Sequence, residues 1–336
     1  MKIKLEWKLE LLPKVLSLGC LIAILSVAVS EVHSFDVFWQ LQSGKYIWQT
    51  KSIIHTDLFT LAYDAPRVEH TWVHSLILFA IYSMVGYSGI SVLKGVLIAG
   101  AYLALLIGAR IRSSSWLAIL LVTPVFLKTS HGWLERPQIW TFLMFALFVL
   151  ILERFQNKQD WHILWLVPLT ALWANLHAGS VLAAAIFAAY VVGAAGKAIW
   201  KKDFKTSGFK QLGVAVALSF LAANITPYPN HFVKVLLAVS KLGGSTSPMT
   251  GEAGTSASAP ITQALNMDWT VTTFQAQPEF YYAMGISALI LLLGWKRFRL
   301  SDLCLMVGLA LMGMKLIRHI PFFYMGMIAI LPAYLD

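Results

Sequence analysis

Charge is scarce in this chain. Asp, Glu, Lys and Arg make up 12% of 336 residues, against about 25% in an ordinary soluble domain, which excludes a water-covered surface over most of its length. Cysteine is scarcer still. Cys20 and Cys304 are the only two, both inside apolar runs and neither in a CxxC pair; a disulfide framework and a paired-cysteine zinc site are excluded, and the redox compartment stays open. The sequence has no nucleotide-binding Gly-rich loop, no GxSxG elbow and no HExxH, so the usual signatures of those chemistries are missing. Alternating-polarity strands of a membrane barrel are missing too. Acidic residues are the rarer charge, 16 against 26 Lys and Arg, giving a net charge of +10. The basic excess falls in short clusters between apolar runs, which argues against nucleic acid as a partner and suits cytoplasmic membrane loops.

What is present is apolar. The chain is 58% hydrophobic with a mean hydropathy of +0.69, and a hydrocarbon core about 30 Å thick takes about 20 apolar residues per helical crossing. Apolar runs fall near 11–30, 72–87, 89–109, 115–130, 139–152, 161–176, 180–196, 211–225, 281–294, 300–316 and 320–335. They predict an all-α, polytopic membrane helix bundle of about 10 to 11 transmembrane helices, a single membrane-embedded domain over residues 1–336. The opening "MKIKLEWKLELLPKVLSLGCLIAILSVAVS" reads as a retained first helix, with a cleaved signal as the alternative. Asp336 follows an apolar run with no basic anchor, so the natural chain is expected to extend further.

Basic clusters at 2–14, at Arg110 and Arg112, at Arg154 and Lys158, at 197–210 and at 296–299 place the N-terminus and those loops in the cytoplasm. The opposite face then receives residues 31–88, an outer loop carrying interfacial helices, and residues 226–280, an outer loop or lid. Run 72–87 cannot also cross if Arg110 and Arg112 face inward. It is expected to lie along the outer interface or to re-enter; in the alternative, both runs span and the two arginines face outside.

Polar residues intrude into apolar runs mostly at that outer face, where a charge at membrane depth costs about 2.5 kcal/mol or more without a cavity or partner. Asp36 is a candidate base or metal ligand, or the N-cap of an interfacial helix. His55 and Asp57 in "IIHTDLFT" form a weak metal pair without a third ligand, and Asx turns use such residues more often. Trp72, with His70 and His74 four apart, belongs to "EHTWVH". Glu135 and Arg136 stand in "WLERPQIW", where the arginine could clamp a phosphate or simply pair with Glu135. Asn175 and His177 end a helix in "LWANLHAGS", while Lys315, Arg318 and His319 in "KLIRHIPFF" are basic on the face that disfavours it, which suggests an anionic partner.

The order of "DVFW", "HTDLFT", "HTWVH", "LERPQIW" and "LWANLHAG" over most of residues 30–325 resembles the GT-C superfamily of membrane glycosyltransferases, in particular a little-characterised bacterial branch. Two features depart from that pattern. Thr71 separates His70 from Trp72 where an acidic residue is usual, with Glu69 displaced, and the large soluble domain of many such enzymes is absent. The resemblance implies a first helix, a large outer loop and a bundle around an outward cavity in the bacterial inner membrane, with the active face periplasmic or extracellular. It implies transfer of a sugar from a polyprenyl-phosphate-linked donor to an acceptor. Asp36 would deprotonate or orient the acceptor hydroxyl, the sugar would leave its phosphate with inversion, and Arg136, Lys315 and Arg318 would hold that phosphate. A divalent metal ion is optional in the superfamily. Two other classes compete: a catalytically silent scaffold subunit contacting membrane protein partners and membrane lipids, and a transporter, which the lack of internal repeats disfavours.

Overall fold

The computed structural model describes residues 2–59, 66–202, 208–228, 230–241 and 272–336. Among the described residues the chain is all-helical, with one isolated antiparallel bridge, Thr56–Pro66, and no strand. The helices are α1 (Lys2–Ala28), α2 (Asp36–Thr50), α3 (Trp72–Val85), α4 (Tyr87–Arg112), α5 (Trp116–Leu127), α6 (Gln138–Lys158) and α7 (Leu166–Leu176). They continue with α8 (Leu182–Lys201), α9 (Phe209–Ala222), α10 (His231–Lys241), α11 (Pro278–Leu293), α12 (Leu300–Lys315), α13 (Ile320–Ile330) and α14 (Pro332–Leu335). Each apolar run of the sequence became a helix. Three helical stretches, Tyr87–Arg112, Gln138–Lys158 and Ala178–Trp200, are long and apolar enough to cross a membrane; the other apolar helices, such as Phe209–Ala222, are shorter.

Side-chain contacts fix how the helices run. Lys94 meets Glu135, Gly100 lies against Leu143, Gly108 against Leu150 and Arg112 against Glu153. The numbers rise together, so α4 and α6 are parallel, and α5 must bring the chain back between them. The same reading of contacts applies further on. Trp173 donates to Thr141 near the start of α6, Tyr190 to Glu153 near its end, and Gly208 packs on Phe155 and Gln159. Thus α7 climbs, α8 descends and α9 climbs again. One end of the bundle collects Asp36, Lys94, Glu135, Asn175, His177 and Arg318; the other collects Arg112, Glu153, Asp160, Arg299 and Asp302. We refer to these as the polar end and the basic end.

The core between them is aromatic and dry. Phe322 of α13 packs on Phe142 and Phe145 of α6, ring centroids 5.3 and 5.8 Å apart, and Phe148 lies edge-on to Trp173 at 5.2 Å and Phe187 at 5.6 Å. Such pairs add about 0.5–1.5 kcal/mol each beyond the area they bury. Every residue of α13 is buried, as befits a helix apolar on all sides at the centre of a bundle.

At the basic end a charge network closes the core. Arg112 Nη1 and Nη2 donate to Asp302 Oδ1 and Oδ2 (3.1 and 2.5 Å), while its Nε faces Glu153 at 3.4 Å. Arg299 reaches the same glutamate at 3.2 Å, Tyr190 donates to it at 2.7 Å, and Tyr334 donates to Asp302 at 2.8 Å. Five helices are tied by these four charges and two phenols.

Helix α3 stays at the polar end. His74 near its start contacts α2 and α6, and Ile81 and Val85 near its finish lie against Gly89 in the first turn of α4. Gly86, at φ +71°, makes the sharp turn between α3 and α4, a backbone region glycine enters without a Cβ penalty. The short run therefore turns back at the polar end instead of running to the basic end. Helix α2 packs on α3 through Gly44, where a Cβ would stand 2.1 Å from the Ser75 carbonyl oxygen.

Candidate functional site

Asp36 is the first residue of α2 and lies in its first turn, where a carboxylate suits the helix dipole. Phe35, not Asp36, occupies the N-cap position, and no side chain caps this helix. Instead of capping, the carboxylate faces out of the turn. Arg136 Nε meets Asp36 Oδ2 at 2.8 Å and the Trp39 indole N–H donates to Oδ1 at 3.2 Å. Residues a hundred positions apart in sequence thus form an ion pair at the polar end. Both side chains keep solvent access, 41% for Asp36 and 32% for Arg136.

Glu135 turns the other way. It is buried, bound by Lys94 from α4, and accepts the backbone N–H groups of His33 (3.0 Å) and Ser34 (3.1 Å). The expected Glu135–Arg136 pairing is absent, because neighbours entering a helix point to different sides. Burial alone would raise the carboxyl of Glu135, but the Lys94 ammonium and the backbone N–H groups of Glu135 itself and of His33 outweigh it and hold it below the usual range. Lys94 also donates to Ser30 Oγ at 2.8 Å. This lysine is the one charge inside apolar run 89–109, a signal of a buried partner that the sequence reading passed over.

Beside Asp36 the wall continues. Arg67 stacks on Trp39, 5.0 Å from its centroid, and reaches Glu69 at 3.4 Å and Asp57 at 3.7 Å. Glu69 is buried; Thr71 Oγ1 donates to it at 2.6 Å, and its backbone N–H donates to Tyr228 OH at 3.0 Å. Desolvation pushes the Glu69 carboxyl up, against Thr71 and Arg67, which pull it down.

The remaining expected residues line up along the same end, mostly engaged with one another. The Trp140 indole can only donate, so His74 Nδ1 accepts from it (2.9 Å) and the proton sits on Nε2, facing Gln40 Oε1 at 3.1 Å. Since α3 begins at Trp72, His70 lies before the helix, and the two histidines do not share a helical face; His70 stacks on His231 at 5.4 Å instead. Trp72 donates to Asn175 Oδ1 (2.8 Å), whose amide donates to the carbonyls of Ala171 and Ile225. Gly179 N–H donates to His177 Nδ1 at 3.1 Å and Thr141 lies 2.8 Å from the same nitrogen, which leaves the proton on Nε2. His70, His74, Arg318 and His319 share the electrostatic surroundings of His177. Arg318 exchanges two hydrogen bonds with Gln138, at 3.3 and 3.4 Å, and His319 Nδ1 sits 3.3 Å from the Met312 carbonyl. Gln138 opens α6 two residues after Arg136, so the two guanidinium groups flank one helix start. Lys315 is exposed in the last turn of α12.

Among the described residues His55 and Asp57 belong to no group that could hold a metal ion. Asp57 accepts from the Phe59 N–H (3.0 Å), the local turn open to such residues, and His55 lies edge-on to Tyr228 at 5.3 Å. Among the described residues no group of three His, Cys, Asp or Glu side chains could hold a metal ion. Compared with known proteins, the sequence matches no family model and no curated protein. A small cleft opens near the end of α7, lined by Ala174, Ala178, Ser180, Ala223, His231 and Phe232; among the described residues His231 Nε2 is buried there without a hydrogen-bond partner. The cleft does not include Asp36. Asp64 and most of the expected lid, residues 242–271, lie outside the described residues.

Proposed function

We propose that this protein transfers a sugar from a polyprenyl-phosphate-linked donor to an acceptor at the outer face of a bacterial inner membrane, as the resemblance to GT-C glycosyltransferases implies. In this reading the alternating helices each cross the bilayer, giving about ten crossings, with the N-terminus cytoplasmic and the polar end outward. The observation that carries it is the Asp36–Arg136 pair: a carboxylate and a guanidinium, both partly exposed, joined at 2.8 Å where α2 and α6 begin. The acceptor hydroxyl gives its proton to Asp36 as its oxygen bonds to the anomeric carbon. The bond from that carbon to the phosphate breaks, and Arg136, with Arg318 beside the same start of α6 and Lys315 at the same end of the bundle, takes the negative charge left on the leaving phosphate. Glu135, Asn175, Trp72 and His74 support this wall from behind.

Loss of a general base costs about 100-fold or more in rate. Membranes from cells carrying wild-type or Asp36→Asn protein are to be compared by mass spectrometry for polyprenyl-linked sugars and surface glycans. Donor accumulation with loss of a glycan in D36N supports transfer; identical profiles reject it. A scaffold reading is favoured by one observation, that both oxygens of Asp36 are already engaged by Trp39 and Arg136. Under that reading D36N alters the proteins that co-purify and leaves the glycans alone.

A further inference from the structure

We infer that Glu135 is a positioning residue: held in place by Lys94, it fixes the segment that carries Asp36, and it does not touch substrate. The inference rests on reading Asp36 and Arg136 as the reacting pair.

The segment between α1 and α2 needs such a clamp. Seven residues, 29–35, join the two helices, α2 has no side-chain cap of its own, and Phe35 beside Asp36 is 84% exposed. Locally the entry to α2 is held only by two long backbone bonds, Val37 N–H to the Ser34 carbonyl and Phe38 N–H to the Phe35 carbonyl, both 3.3 Å, with no side-chain cap. Three hydrogen bonds from outside add to them. His33 N–H and Ser34 N–H both donate to Glu135 Oε2, and Ser30 Oγ accepts from Lys94 Nζ, whose other bond is to Glu135 Oε1. Ser34 is held a second time, its hydroxyl oxygen accepting from Arg136 Nε at 3.3 Å. Lys94 and Glu135 are 1% and 0% exposed at their side chains, so no substrate group reaches them.

The adjacent residues Glu135 and Arg136 thereby divide the work. The glutamate holds the chain two residues before Asp36, and the arginine holds the carboxylate itself. Charge and hydrogen bonding make separable demands here. Lys94 neutralises a carboxylate that would be costly to bury alone, whereas the two backbone donors need only an oxygen. A glutamine at 135 facing a methionine at 94 meets both demands; an alanine at 135 fails the second whatever stands at 94.

The test uses the full chain in lipid nanodiscs with Cys20 and Cys304 replaced by alanine. Spin labels on F35C and W200C report where the segment sits relative to α8, and labels on V96C and W200C report the bundle alone; all three positions are exposed. K94M/E135Q is expected to keep the parental distance distribution for both pairs. K94M/E135A is expected to broaden the 35–200 distribution at least about twofold and leave 96–200 as in the parent. Equal 35–200 widths in the two double variants overturn the inference. Broadening of 96–200 in K94M/E135Q also overturns it, because that variant gives up only the Lys94 bonds to Ser30 and Glu135 and keeps the two backbone bonds to residue 135 on which the inference chiefly rests. The glycan comparison separates the two claims: K94M/E135A should reproduce the D36N profile, and K94M/E135Q should not. If D36N changes the glycans and K94M/E135A does not, positioning fails alone; if D36N changes nothing, the transferase reading fails.

Discussion

Replacing Asp302 with asparagine should destabilise the protein by about 3 kcal/mol, the lower part of the range for breaking a buried ion pair. Arg112 and Asp302 are each 2% exposed at the side chain and Glu153 is fully buried. The four charges Arg112, Arg299, Glu153 and Asp302 cancel, so D302N leaves one uncompensated positive charge. Arg112 then keeps Glu153 at 3.4 Å as a charged partner, and Tyr334 loses a charged acceptor. The cost sits toward the low end because Arg299 is 35% exposed and water screens it. The pair replacement R112M/D302L removes both charges together and leaves Glu153 balanced by Arg299. It should cost about 1–2 kcal/mol, chiefly for the Tyr334 O–H, which loses its acceptor while its oxygen still accepts from the Arg299 N–H, and so be milder than the single change. For a chain of this length 3 kcal/mol corresponds to a fall of about 4 °C in unfolding midpoint, readable by gel filtration of detergent-solubilised protein after heating. A D302N midpoint equal to wild type, or a double variant less stable than D302N, would refute the argument that uncompensated charge is the dominant cost.

Acidification should loosen the polar end. Burial lowers His70 and His231 to about 4, with Arg67 near the first and Lys234 near the second adding to the effect. Rings whose protonation is harder in the folded state stabilise it above their ordinary value near 6.5, and that contribution is lost as pH falls from 6.5 toward 4. The loss at pH 5 is on the order of 1–2 kcal/mol per ring after solvent screening; H70Q/H231Q should flatten the midpoint between pH 7 and 5, and an unchanged slope rejects it. Gly44→Val should separate α2 from α3, since its Cβ would meet the Ser75 carbonyl at 2.1 Å; protease nicking between residues 51 and 71 should rise, and parental resistance would count against the contact. Trp72→Phe removes the donor to Asn175 Oδ1 and should cost about 1–2 kcal/mol, against none if water replaces it.

Helices were legible because apolar periodicity and length are local properties. Every apolar run reappears as a helix, and α2 lies within the outer loop 31–88 that was expected to carry interfacial helices. Partnerships were not local and so were not legible. Gln40, His74 and Trp140 come from three helices, and no spacing in the sequence announces that they meet. Arg110 and Arg112 read alike as loop charges, yet Arg110 donates to the carbonyls of Ser113 and Ser114 and stacks on Trp116, while Arg112 is drawn into the core by two acids. The Asp36–Arg136 ion pair was not anticipated, since Arg136 was expected to clamp a phosphate or pair with Glu135; only the placement of both residues on one face was. That Glu135 would face inward depended on Lys94, whose isolation in an apolar run was the available clue.

The parallel course of α4 and α6 sets a limit on how this molecule can move. Lys94 and Arg112 are 18 residues apart, and so are their partners Glu135 and Glu153. At 1.5 Å per residue the Lys94–Arg112 interval within α4 is about 27 Å, close to the roughly 30 Å thickness of a bilayer's hydrocarbon layer. The seam is riveted at both rims with matched spacing. A slide of one helical turn, about 5.4 Å, would tear both rivets at once, so shear along this seam is closed to the protein. On the transferase reading proposed above, an opening for a bulky lipid would therefore come from helices outside this seam.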